Sequence, residues 1–171
     1  MSSTLQQRGI EEWAPTLVRL AVGSSMMVHG AGKLLNIGPS AIGVDAFAAF
    51  LASLGIPFPV VFAWAATLAE IGGGLLILLG LFTRYAAVFI AITMAVAALL
   101  VHIPAGFPTL SIGTAYTIGE YTIVLILTSI SLVLSGPGRL SLELAIFDRE
   151  LLPAGLAEAQ PTPLEPGQPR G

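Results

Sequence analysis

The chain has 171 residues, of which 55% are hydrophobic and only 10% are charged, and its mean hydropathy is +0.88. Soluble domains carry about 25% charged residues, so this composition indicates an integral membrane protein. The net charge of -3 and the lack of a basic run exclude a nucleic-acid-binding surface. The absence of cysteine excludes disulfides, thiolate metal sites and a thiol redox motif within the chain.

The N-terminal part of the chain predicts a short polar segment followed by a membrane-spanning helix. Residues 1–14 are polar to amphipathic, and Trp13 is placed to anchor them in the headgroup layer. Pro15 suits the first turn of a helix, and the apolar stretch 17–35 is close to the roughly 20 residues that cross a bilayer. We expect this helix to be retained, because Lys33 interrupts the place where a signal peptide would be cleaved.

Three further apolar stretches predict membrane-spanning helices, at about 60–82, 85–103 and 115–134. Between the first and second spans, residues 46–54 are apolar but too short to cross, and they predict a short interfacial or re-entrant helix. Its place beside Lys33 favours a role in covering the mouth of a pocket. The predicted fold is therefore an all-α, integral membrane four-helix bundle formed by residues 15–135.

The C-terminal part predicts an amphipathic segment and a disordered tail. Residues 136–152 mix apolar and charged residues at helical spacing, as in a segment on the membrane surface, and residues 153–171 are rich in proline, glycine and glutamine. Four spans place both termini on one side of the membrane. Most arginines flank that side, and Lys33 alone flanks the other, so the positive-inside rule predicts that both termini are cytoplasmic.

Six ionisable residues lie within or near the ends of the predicted spans: Arg19, His29, Lys33, Glu70, His102 and Glu120. A charge in hydrocarbon costs several kcal/mol unless it is paired or hydrated, so these side chains must face protein or a water-filled cavity. In the first span, helical spacing puts the two cationic positions on one stripe with three uncharged residues: Arg19, Gly23, Met26, Gly30 and Lys33.

Two interpretations of these residues stay open. Depth in the membrane places Lys33 and His29 nearer Glu120, and Glu70 midway between Lys33 and Arg19. On the first interpretation, Arg19–Glu70 and Lys33–Glu120 are structural ion pairs that fix the register of the helices. Alternatively, the residues line a pocket for a polar or quinone-like ligand. A metal site is not expected, because the cation of Lys33 lies one turn from His29 and disfavours a second positive charge there.

Five stretches of the chain resemble the DoxX family of small bacterial and archaeal membrane proteins: RLAVGSSMMVHGAGKL (19–34), LAEIGGGLLILLGLFTR (68–84), MAVAALLVH (94–102), GEYTIVLIL (119–127) and GPGRLSLE (136–143). The resemblance covers nearly all of residues 16–143, and it implies a four-helix bundle in the cytoplasmic (inner) membrane. The six ionisable residues match the family's polar pattern, which implies a candidate ligand site with no assigned catalytic residue.

The resemblance also implies a link to redox chemistry at the membrane. Related branches include the DoxD-type membrane subunit of an archaeal thiosulfate:quinone oxidoreductase, and a mycobacterial member is associated with a superoxide dismutase and a sulfurtransferase. The first hypothesis is therefore a membrane subunit of a quinone-linked redox system, in sulfur or oxidative-stress chemistry, with quinone as the ligand and no covalently bound cofactor.

The second hypothesis is a non-catalytic scaffold in the lipid bilayer that docks soluble redox enzymes through residues 139–152 or the tail. A second membrane subunit or a second copy of the chain is a further candidate partner. A third hypothesis, a small transporter, would require at least a dimer to form a pathway. Whether the protein is itself an enzyme stays open at this point.

Overall fold

Six helices make up most of the computed structural model, which describes residues 13–38, 41–104, 119–148 and 150–151. We number them in chain order: α1 (Ala14–Leu35), α2 (Val44–Ser53), α3 (Pro59–Leu79), α4 (Thr83–Ala97), α5 (Gly119–Ser135) and α6 (Leu142–Phe147). A π-helical turn, Ala98–His102, continues α4 without a break. These described ranges contain no β-strand, so the predicted all-α class is confirmed for them.

The helices lie close to their predicted positions. The short helix predicted at 46–54 is α2, and the tight connection predicted between the second and third spans lies between Leu79 and Thr83. Thr83 begins α4, two residues before the predicted start of the third span at 85. The predicted start of the fourth span at 115, the polar segment 1–12 and the tail from 153 onward lie outside the described residues.

Glycine ends α3 because the chain there adopts a left-handed conformation. Gly80 has φ +67°, and the amide of Leu81 donates to the carbonyl of Leu76 while the amide of Gly80 donates to that of Ile77. This pair of hydrogen bonds is the Schellman motif, which satisfies carbonyls left free at a helix C-terminus. The chain then reverses within three residues, so α3 and α4 are adjacent.

Helices α1 and α3 pack closely because glycines line their contact. A Cβ atom added to Gly23 would lie 2.6 Å from Leu78 Cγ and 2.9 Å from the carbonyl oxygen of Gly74. One added to Gly30, two turns further along α1, would lie 2.5 Å from Ile71 Cγ1. Later residues of α1 thus contact earlier residues of α3, so the two helices are antiparallel. Helix α4 packs along α5, and α2 packs on α3.

Apolar side chains cover much of the outer surface of the long helices. Those that are more than half exposed include Leu17, Val61, Leu68, Phe89, Leu127 and Leu134. Two helical stretches among the described residues, Pro59–Leu79 and Thr83–His102, are long and apolar enough to cross a membrane, and only 28% and 33% of their residues are buried inside the protein. Such an exposed apolar surface is suited to lipid rather than water.

The glycine contact between α1 and α3 generates the first prediction. We expect Gly23→Ala to lower the free energy of unfolding by about 1–3 kcal/mol, because the added methyl group overpacks a contact with backbone atoms. Gly72→Ala is the matched control, since a Cβ at Gly72 meets no atom within 4 Å. Alanine also favours a helix over glycine by about 1 kcal/mol, so the control should be unchanged or more stable.

Equilibrium unfolding in detergent, followed by circular dichroism, measures both variants. Equal stability of the two variants would contradict the close approach of α1 and α3.

Candidate functional site

Arg19 lies at the end of the helices where α3 ends, which we call the arginine end (Arg19, Gly80, Arg84 and Pro137). Its guanidinium donates to the carbonyl oxygens of Pro137 and Leu140, and at 3.4 Å to that of Leu78 near the C-terminus of α3. Carbonyls at a helix C-terminus carry partial negative charge and lack partners within the helix. Arg19 therefore finds its acceptors in the backbone.

The predicted ion pair Arg19–Glu70 is wrong. The antiparallel packing places the Arg19 guanidinium against Gly80, where a Cβ atom would overlap it. Ten residues of helix separate Gly80 from Glu70, which is about 15 Å along the axis. The sequence suggested this pair from depth in the membrane alone, which does not determine which turns of two helices face each other.

A second buried arginine, Arg84, binds the C-terminus of α5 in the same way. It donates to the carbonyl oxygens of Val133 and Leu134, and it forms an ion pair with Glu150 at 2.7 Å. Arg84 is 6% exposed. The sequence placed it as a flanking charge at the membrane surface, whereas the structure uses it to connect α4, α5 and the segment after α6.

Helix α6 is held against this end by a buried carboxylate. Glu143 is fully buried, and its side chain accepts hydrogen bonds from the backbone amides of Thr83, at 3.3 Å, and Leu151. Its own amide donates to the carbonyl of Gly80. The segment predicted to be amphipathic therefore packs onto the bundle through a charged residue, while Ile146 and Phe147 stay exposed.

This arrangement predicts the effect of removing the Glu143 carboxylate. We expect Glu143→Ala to cost about 1–3 kcal/mol of stability, because two backbone amides lose their acceptor. Glu120→Ala removes an exposed carboxylate and should change stability by no more than about 0.5 kcal/mol. Thermal unfolding in detergent compares the two, and an equally small effect of both would contradict the role of Glu143.

Lys33 and Glu70 form an ion pair at the opposite end, which we call the lysine end (Gly30, Lys33, Glu70 and Tyr121). Lys33 Nζ lies 2.5 Å from Glu70 Oε1, and the two side chains are 14% and 4% exposed. Gly30 makes this possible, because a Cβ atom there would lie 3.2 Å from Glu70 Cβ. The close approach of α1 and α3 thus brings the lysine of one helix onto the carboxylate of the other.

The predicted ion pair Lys33–Glu120 is therefore wrong. Glu120, in the first turn of α5, is exposed, and its neighbour Tyr121 faces α1. Lys33 pairs with Glu70 of α3 instead, and Glu120 is turned about 100° from Tyr121 around the axis of α5. Glu120 is not part of the site in this structure.

Tyr121 forms a polar contact between α5 and α1. Its hydroxyl shares a hydrogen bond with Ser25 Oγ, and its ring centroid lies 5.8 Å from that of His29. Ser25, His29 and Lys33 follow one another at four-residue spacing, so they form one row along α1. His29 is thus placed between the Tyr121 contact and the Lys33–Glu70 ion pair.

The short helix α2 covers the ion pair. The ring of Phe47 lies over Lys33, with its centroid 4.3 Å from Nζ. Val44, Ala48 and Leu51 of α2 are buried in a small apolar cluster with Ala63 of α3. This position places α2 beside Lys33, and its role in covering the mouth of a pocket stays a prediction.

His102 is buried at the end of the π-helical turn, which packs against α5. Within the described ranges it forms no hydrogen bond or ion pair with the other predicted site residues. These ranges also contain no cluster of three histidine or acidic residues that could hold a metal ion. Of the six predicted residues, the structure thus joins Lys33 to Glu70 and places His29 beside them.

The ion pair has unused hydrogen-bonding capacity. Glu70 Oε2 is buried and has no hydrogen-bond partner among the described residues. The Lys33 ammonium carries three N–H donors, of which one binds Glu70 Oε1. Two N–H donors of Lys33 and one acceptor oxygen of Glu70 therefore have no assigned partner among the described residues.

A double-mutant cycle tests whether the ion pair is a coupled unit. We expect Lys33→Met alone to cost about 3–5 kcal/mol, because the Glu70 carboxylate is left buried without its cation. Glu70→Met alone should have a similar cost, because the largely buried Lys33 ammonium is left without its carboxylate. The double variant should recover most of the loss, since it leaves no buried charge. Equilibrium unfolding in detergent measures the three variants, and additive losses would show that the two residues do not interact.

Sequence reasoning missed several residues that build these two ends. Phe47, Ser25 and Tyr121 resemble ordinary packing residues in apolar stretches, and no periodicity separates them from their neighbours. The helix that carries Glu143 could have been predicted from the sequence. Ser141 is a typical N-cap residue just before a short apolar stretch, and it marks where that helix begins.

The comparisons with known proteins agree with the resemblance seen in the sequence. The family model DoxX matches residues 14–103, which include α1 to α4, Lys33 and Glu70. The chain is 33% identical over 131 residues to a Bacillus subtilis (strain 168) protein named "Putative oxidoreductase CatD", and the match covers 77% of this chain and 85% of that protein. No solved structure matches the chain. The chain therefore belongs to the DoxX family of membrane proteins.

Proposed function

We propose that this protein is a membrane subunit of a quinone-linked redox system and that a quinone head group binds beside the Lys33–Glu70 ion pair. In this proposal α1, α3, α4 with its π-helical turn, and α5 cross the membrane as a four-helix bundle. The redox system acts in sulfur or oxidative-stress chemistry, in line with the family resemblance.

The arrangement of charges supports one orientation in the membrane. The arginine end, where α1 begins and α5 ends, contains Arg19 and Arg84. Arg139 follows α5 at the same end, while Lys33 belongs to the opposite end. Arginine and lysine are enriched on the cytoplasmic side of membrane proteins. The proposed orientation therefore has the arginine end and both termini in the cytoplasm, and the ion pair nearer the outer face.

The observation that carries the proposal is the unused oxygen of a buried carboxylate. A side chain as buried as Glu70 has both oxygens satisfied in most proteins, because an unpaired buried acceptor costs about 1–3 kcal/mol. Glu70 Oε2 has no such partner among the described residues. The cost is recovered when a ligand with an O–H group donates to this oxygen.

A quinone and its quinol fit these groups in complementary ways. The carbonyl oxygen of a quinone accepts a hydrogen bond from Lys33 Nζ, and the hydroxyl group of a quinol donates one to Glu70 Oε2. The carboxylate is also the nearest proton acceptor for that hydroxyl. The apolar rings and tail of such a ligand match the exposed apolar surface of α1 and α3.

A partner must exchange the electrons with the bound quinone. The chain has no cysteine that could form a redox disulfide, and the proposal assigns the other redox centre to a second membrane subunit or a soluble enzyme. The name of the Bacillus subtilis relative, which contains the word oxidoreductase, supports a redox role but names no substrate.

The test compares Glu70→Gln with Glu120→Gln after purification from quinone-containing membranes. Glutamine at position 70 keeps the size of the side chain but loses the carboxylate that ligand and lysine share. We expect the quinone retained by the protein, measured by mass spectrometry, to fall about 10-fold or more, the value of a hydrogen bond to a charged group. Glu120→Gln makes the same change at an exposed position and should retain as much as wild type.

Size-exclusion chromatography and thermal unfolding show whether each variant is folded. Equal quinone retention by wild type and folded Glu70→Gln would contradict the proposed site. Soluble enzymes that co-purify with wild type, with no quinone in any sample, would instead support the scaffold hypothesis.

A further inference from the structure

The ring of Phe47 occupies the face of Lys33 that the ion pair leaves open. Lys33 Nζ is bound to Glu70 on the side of α3, and the Phe47 ring lies on the side of α2 at 4.3 Å from the ammonium. A cation over an aromatic face is attracted by the negative charge of the π system. Any ligand that reaches Lys33 between α2 and α3 must therefore meet or displace this ring.

Helix α2 is connected to its neighbours by turns rich in left-handed residues. Asn36, Gly38 and Gly43 precede it with positive φ, and Gly55 and Phe58 follow it with φ of +75° and +50°. Its buried side chains, Val44, Ala48 and Leu51, make apolar contacts with α3. Phe47 itself is only partly buried at the edge of this cluster, so its ring can change rotamer without unpacking the helix.

We propose that Phe47 is a specificity-determining residue of the Lys33–Glu70 site. When a ligand binds, the Phe47 ring leaves the Lys33 ammonium and stacks on the ring of the ligand. The site thereby selects planar, quinone-like molecules over saturated carbonyl compounds. This inference rests on the proposed function and names the feature of the ligand that the site recognises. Aromatic rings stack on planar rings through offset contacts that a puckered saturated ring cannot make.

The chain itself offers a probe at the site, because Lys33 is its only lysine. Reductive methylation with isotope-labelled formaldehyde places methyl groups on Lys33 Nζ and keeps its positive charge. The N-terminal amine is methylated too. The Lys33→Arg variant has no lysine, so the signal that is missing from its spectrum belongs to Lys33. NMR of the detergent-solubilised protein then reports on the atoms next to the Phe47 ring.

The first measurement tests the geometry with two leucine substitutions on the same helix. The Phe47 ring current should shift the Lys33 methyl signal upfield in wild type, and Phe47→Leu should abolish the shift. Phe50→Leu makes the same change one turn further along α2, at a ring that packs on the apolar cluster, and should leave the shift unchanged. Phe47→Tyr keeps an aromatic ring at this position and should show the same upfield shift as wild type.

The second measurement tests ligand choice by calorimetric titration of the unmethylated protein, because a dimethylated Lys33 keeps a single N–H, which binds Glu70, and has none left for a quinone carbonyl. The probes are duroquinone, a fully methylated benzoquinone, and a cyclohexanedione with its carbonyls in the same positions on a saturated ring. Phe47→Leu should lower the ratio of duroquinone to cyclohexanedione affinity about 2- to 12-fold, the range of one aromatic pair. Both ligands displace the ring from Lys33, so the lost cation–π contact cancels in this ratio. Phe50→Leu should leave the ratio as it is in wild type.

The outcomes separate this inference from the proposed function. An equal ratio of duroquinone to cyclohexanedione affinity in wild type and Phe47→Leu would overturn the role of Phe47 while the quinone site stands. A ring-current shift in wild type without any response to duroquinone in any variant would overturn the quinone site and, with it, the selection by Phe47. An unshifted methyl signal in wild type would overturn the contact between the ring and Lys33.

Discussion

The close contact between α1 and α3 determines which polar residues of the two helices meet. Glycines at positions 23, 30 and 74 bring the backbones together, so a slide by one turn would drive side chains into backbone atoms. This contact sets Lys33 opposite Glu70 and Arg19 opposite the C-terminus of α3. Small residues serve the same purpose in membrane helices generally, where packing rather than hydrophobic burial holds helices together.

The protein places charge inside and apolar side chains outside. Arg19, Glu70, Arg84 and Glu143 are buried, while much of the apolar surface of the long helices is exposed. The two ends satisfy their charges differently. Arg84 binds carbonyls at the C-terminus of α5, whereas Arg19 binds mainly carbonyls between α5 and α6, so both arginines use backbone acceptors already present in the fold. Lys33 instead pairs with one specific carboxylate, and one oxygen of that carboxylate is buried without a hydrogen-bond partner among the described residues.

Much of the helix plan could be predicted from the sequence, because long apolar runs broken by glycine and proline mark where helices begin and end. Lys33 and Glu70 were also identifiable as candidates, since a charge within an apolar run is conspicuous. Their pairing was not, because it depends on which turns of α1 and α3 face each other. Glu120 and Tyr121 show a second reason why contacts could not be predicted. Adjacent residues of a helix point in different directions, and packing sets the rotation of the helix about its axis.

The distance between the two ends of the molecule restricts how a partner can react at the site. Arg19 and Lys33 are 14 residues apart on one continuous helix, which is about 21 Å. Reacting atoms must come within about 3–3.5 Å of each other. An enzyme that docks where α1 begins and α6 packs is therefore too far away to transfer an atom directly to a molecule at Lys33. Docking and chemistry would occupy separate faces, and any direct transfer would have to take place beside α2.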